Sequence, residues 1–98
     1  MMNFRQRATE TVHIVAHVTG KDYGHVWSMF YYELQTRSGI DLNLMLLREK
    51  RTAQFLKKRK SEIRKLTMLY VISEDTYLTM IANKILDTWD AQIREAQY

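Results

Sequence analysis

The chain has 98 residues, with no proline, three glycines and no cysteine. At this length it forms one domain with one modest core, held by packing and not by disulfides, as in a reducing cytoplasm. Its charge of +4 is a mild excess that excludes a strongly polyanionic or polycationic chain, and no apolar run reaches membrane-span length.

The start, Met1-Met2-Asn3-Phe4-Arg5, enters a polar–apolar pattern directly and shows no signal peptide. Residues 3–18 read as a helix, because Phe4, Ala8, Val12, Val15 and Ala16 recur at helical spacing. Gly20 is its expected stop, since glycine accepts the left-handed cap conformation. Asp22 is placed to cap a second helix. Along that helix Tyr23, Val26, Trp27, Phe30, Tyr31 and Leu34 form an aromatic stripe, and Gly39 ends it.

Asp41 caps a third helix, with Ile40 placed to staple against Met45. Five of the six residues 42–47 are apolar, more than one stripe needs. This predicts a segment buried on more than one side or paired with another chain. The helix then turns basic. Ser61 either caps a new turn or lies inside a helix that runs straight on. Residues 66–72 are rich in large apolar side chains and read as a helix end and linker, without a partner strand. Ser73 is the expected cap of the last helix, whose buried stripe is Leu78, Ile81, Ala82, Ile85, Leu86, Trp89 and Ile93. Together these elements predict an all-α fold, a compact bundle of four to five amphipathic helices with short connections, as a single domain over 1–98.

The charge is uneven along the chain. Arg48, Lys50, Arg51, Lys57, Lys58, Arg59, Lys60, Arg64 and Lys65 crowd one segment with only Glu49 and Glu62 beside them. The stretch 73–98 is acidic, with Glu74, Asp75, Asp87, Asp90 and Glu95 against Lys84 and Arg94. Such asymmetry points to a charged partner or to head-to-tail self-association.

The stretch VWSMFYYELQTRSGIDL at 26–42 resembles the small helical domain at the C-terminus of phage antirepressors, which follows KilA-type or BRO-type N-terminal domains. The resembling features are Trp27 and Tyr31 four apart, Leu34, and Gly39-Ile40-Asp41-Leu42. A second similar stretch is VISEDTYLTMIANKIL at 71–86, after a basic linker. The resemblance covers about two-thirds of the chain and implies a non-enzymatic phage or prophage regulator of transcription, working in the cytoplasm of a bacterial host. The family's N-terminal DNA-binding domain has no counterpart here, so the helical domain is expected to stand alone.

On one continuous helix, Arg51, Lys58 and Lys65 would share a face, as would Lys50, Lys57 and Arg64. Such rows neutralise phosphates without reading sequence, which makes the nine basic residues a candidate nucleic-acid surface. The plainer reading is a solvated helix face with Glu62 paired to Lys58. Leu42, Leu44, Leu46, Leu47 and the off-stripe Tyr32 are candidates for a protein interface. A homodimer through residues 42–56 or the final helix is expected, and six methionines suit an adaptable contact. His13, His17 and His25 have usable metal spacing, but they read as ordinary histidines and no metal or other cofactor is assigned. Asp87, Asp90 and Glu95 have no nucleophile or base partner in sequence, and no catalytic motif is present.

Three functions follow. The first is a regulator that binds a repressor or host factor and sequesters it. The second is direct nucleic-acid binding through residues 48–65. The third and weakest is inhibition of a host defence nuclease through the acidic last helix.

Overall fold

The computed structural model describes residues 3–96, so residues 1–2 of the chain start and 97–98 of the acidic stretch lie outside it. Its described residues form six helices and no strand: α1 (Phe4–Thr19), α2 (Tyr23–Ser38), α3 (Leu42–Phe55), α4 (Lys60–Arg64), α5 (Met68–Ser73) and α6 (Thr76–Ala96). The architecture is all-α and packed, as the periodicity predicts. Two local departures raise the count to six. The basic segment is split, and residues 68–73 fold as a helix in place of a linker.

The caps explain where most helices begin and end. Asn3 and Gln6 form a capping box, with side chain to backbone bonds of 2.9 and 3.2 Å. Asp22 and Asp41 accept the N–H groups of His25 and Leu44 at 2.8 and 3.0 Å. Gly20 and Gly39 sit at φ 74° and 72° and close α1 and α2. Ser73 does not cap α6. Its hydroxyl donates to the Tyr70 carbonyl at 2.6 Å and closes α5, while Asp75 accepts the Leu78 N–H at 2.9 Å. The extra turn of α5 moves the start of α6 downstream, to the first side chain able to cap it.

The basic segment breaks upstream of Ser61. After Phe55 the Lys57 N–H bonds the Gln54 carbonyl and the Lys58 N–H bonds the Ala53 carbonyl, at 3.0 and 2.9 Å. This pair of bonds is a Schellman closure, with Lys57 at φ 56° in the position that usually holds glycine. Ser61 then lies inside α4, whose N-cap Arg59 makes no side-chain cap bond.

α1, α2 and α6 pack together, and α5 closes their open side. The core holds Ala8, Val12 and Ala16 from α1, Val26, Phe30 and Leu34 from α2, and Leu78, Ala82, Ile85, Leu86 and Trp89 from α6. Ile72 joins from α5 and Leu42 from α3. Burial of each large side chain contributes about 1.5–3 kcal/mol. The alanines let the helix backbones approach, and Phe30 fills the space by meeting Trp89 edge-on at 5.8 Å.

α3 differs from the others. It packs on α5 and α4 and buries only Leu42 and Ala53. The expectation that residues 42–47 are covered on several sides is not met within the chain, because Leu44 and Leu47 are 41% and 43% exposed. The molecule measures 53 × 27 × 25 Å.

Candidate interaction surface on α3 and α4

A helix turns 100° per residue, so α3 has two distinct sides. Leu42, Leu46 and Ala53 share the side toward the protein, where they are buried or half-buried. Leu44, Leu47, Arg48, Arg51 and Phe55 share the opposite side, and all five are exposed. Phe55 is 84% exposed and the adjacent Leu56 60%. The outer side of α3 is therefore an apolar stripe carrying two guanidiniums and no carboxylate.

The predicted interface residues divide accordingly. Leu44 and Leu47 lie on this open side. Leu42 is 1% exposed, inserted into the core, and cannot meet a partner. Its N–H donates to Gln35 Oε1 at 3.1 Å, which ties the start of α3 to α2. Leu46 is half-buried, and Tyr32 stands exposed on α2, lining with Asn43 a shallow groove of about 300 Å³ at the α2–α3 junction. Phe55 and Leu56 extend the apolar surface beyond the predicted patch. Their signal was spacing: Phe55 lies eleven residues after Leu44 and returns to the same side.

Of the nine basic residues, Lys50 is half-buried and the other eight are exposed. Because the helix breaks at Lys57, the two predicted rows of three do not form. Arg48, Lys50 and Arg51 belong to α3, Lys57, Lys58 and Arg59 to the connecting loop, and Lys60 and Arg64 to α4, with Lys65 just past its end. None makes an ion pair within 4.0 Å among the described residues, and the expected Lys58–Glu62 pair is absent for the same reason. Lys58 and Lys65 line a pocket of about 370 Å³ between α3, α4 and α5, together with Glu49, Glu62 and Tyr70.

The aromatic stripe of α2, the acidic residues of α6 and the histidines lie away from this surface. Phe30 is fully buried, and Trp27 stacks on Tyr31 at 5.6 Å. Burial pushes the Tyr31 phenol up from 10 to about 12. Asp87 and Asp90 both bind Arg7 of α1, Asp90 at 3.1 Å, and Asn83 accepts from the same guanidinium at 3.0 Å. Partial burial lowers the Arg7 pKa, but the hydrogen bonds and charges of the two carboxylates outweigh it and raise the value. His13 stacks on Tyr23 at 4.5 Å, and His17 and His25 are exposed. Among the described residues no group of three or more His, Cys, Asp or Glu side chains could hold a metal ion, and no helix is long and apolar enough to cross a membrane.

No protein-family model matches the chain, and no curated protein or solved structure matches it.

Proposed function

We propose that the protein is a non-enzymatic regulatory module that works by binding another protein, in the manner the resemblance to phage antirepressor C-terminal domains suggests. The observation that carries this reading is the outer side of α3. Leu44 and Leu47 near its start and Phe55 at its end are exposed apolar groups that the core does not need, with Arg48 and Arg51 between them. Stripes of this kind on small domains mark protein contacts. In this reading the partner is a repressor or host factor in a bacterial cytoplasm, and binding blocks the surface by which it acts. The homodimer expected through residues 42–56 or the final helix competes with this reading for the same surfaces, and sedimentation at several protein concentrations tests it.

The direct experiment installs a photocrosslinking amino acid at Leu47 of the full chain in bacterial cells. Discrete protein adducts that vanish in a Leu44→Ser/Phe55→Ser background are expected. Adducts to nucleic acid alone would overturn the reading.

A second reading, direct nucleic-acid binding, has its own observation: eight exposed basic side chains without an acidic partner. Fluorescence anisotropy with labelled duplex and single-stranded DNA, at low and near-physiological salt, tests it. Binding that falls steeply with salt and is lost when Lys57, Lys58, Arg59 and Lys60 are changed to Glu would establish a phosphate surface. The nuclease-inhibitor reading has less support, because Asp87 and Asp90 are bound to Arg7 of the same chain.

A further inference from the structure

The partner's chemistry can be read from the surface that would hold it. We infer that the outer side of α3 receives an acidic amphipathic helix of another protein, one that sets glutamates or aspartates beside a short row of leucine-like side chains. The inference rests on the protein-binding reading above and adds to it the class of occupant.

Three features argue for this class. The face runs along a 14-residue helix, with Leu44 and Leu47 one turn apart near its start and Phe55 on the same side at its end, a spacing that the side chains of a second helix can match. Arg48 and Arg51 stand within the same stripe, exposed and unpaired. Glu49 is the only acid on α3, and it faces the pocket toward α4 and α5. An occupant must therefore bring carboxylates as well as apolar side chains, or two guanidiniums lose water without gaining a partner.

A second α3 helix does not meet that requirement. Antiparallel pairing of two α3 helices that sets Leu44 against Phe55 also sets Arg48 against Arg51, and parallel pairing sets each arginine beside its own counterpart. Like charges then meet across the seam with no acid between them. The outer side of α6 is no better. It presents Tyr77, Met80, Lys84 and Glu95, and its Asp87 already binds Arg7. A nucleic acid would satisfy the arginines but leave Leu44 and Leu47 against a polar backbone, which offers them nothing.

The test uses the full chain and synthetic helical peptides matched in length to α3. One carries leucines at i, i+3, i+4 and i+7 with glutamates on both flanks. A second replaces the glutamates with lysines, and a third scrambles the order. Anisotropy of the labelled acidic peptide is expected to report saturable binding, weakened roughly tenfold by R48E/R51E and similarly by L44S/L47S. The lysine peptide is expected to bind R48E/R51E better than it binds the wild type. Circular dichroism confirms that the variants remain helical, as substitutions at exposed positions should.

If both charged peptides bind with dependence on Leu44 and Leu47 but not on Arg48 and Arg51, the acidic class is wrong and the protein-binding reading stands. Suppose instead that no peptide binds while single-stranded or duplex DNA does, in a manner sensitive to R48E/R51E and not to L44S/L47S. Both readings then fail in favour of a phosphate surface.

Discussion

Arg7 lies at the seam between α1 and α6, where one guanidinium meets Asp87, Asp90 and Asn83. Only its partial burial lifts this cluster above an ordinary surface ion pair, since exposed pairs contribute little. Arg7→Gln should cost about 1 kcal/mol and lower the melting temperature by roughly 4–8 °C in a domain of this size. Thermal unfolding followed by circular dichroism measures it. A loss too small to resolve would mean the three partners are solvated equally well without the arginine. Tyr31 supports a second prediction. Its phenol titrates near 12 in the folded chain because burial disfavours the phenolate. Below pH 10 the phenol is neutral folded or unfolded and adds no pH dependence. Between pH 10 and 12 the unfolded chain ionises first, so stability falls as pH rises through that window. Tyr31→Phe should flatten this fall, and urea unfolding of both proteins across the window tests the difference.

At the scale of elements, most caps and stripes were legible because each depends on a few neighbours, though Ser73 does not cap α6 and Tyr23 of the α2 stripe stands exposed. Gly20, Gly39, Asp22 and Asp41 act where the sequence puts them, and the stripe of α6 is buried from Leu78 to Trp89, with Ile93 only half-buried. The break at Lys57 was not legible. A Schellman closure normally announces itself with glycine, and here a lysine takes the left-handed conformation amid residues that suit a helix. The same break hid the true shape of the candidate site, because charge rows drawn on one long helix dissolve when it ends at Phe55. Leu42 was misjudged for a related reason. An apolar run shows that burial is needed but not which member faces the core. Lys57→Gly tests the break by sign. A left-handed lysine is strained by about 1 kcal/mol, so glycine there should be neutral or stabilise by up to that amount. In an unbroken helix the same change would cost about 1 kcal/mol. Chemical denaturation separates the two.

Across the whole molecule, stability and the proposed interaction surface lie in different places. The core residues Val12, Phe30, Leu34, Ile85 and Leu86 are fully buried where α1, α2 and α6 meet. α3 beyond its first turn rests mainly on α5, and α4 rests on α3 with no buried side chain of its own. Segments with few buried apolar contacts open at lower free energy than the core they border. Native-state hydrogen exchange should therefore find the amides of residues 46–65 exchanging well before those of α1, α2 and α6. Global unfolding should govern the latter, and Leu34→Ala should speed them in step with a loss of about 2–5 kcal/mol. The same change should leave the opening of 46–65 nearly untouched, because α2 is not among the helices on which α3 beyond its first turn and α4 mainly pack. An occupant of the outer side of α3 would reverse the order locally, slowing exchange in residues 44–55 without slowing the core. Exchange that stays uniform along the chain, with or without a bound helix, would show that α3 and the core unfold as one unit. α3 and α4 would then be as rigid as the bundle that carries them.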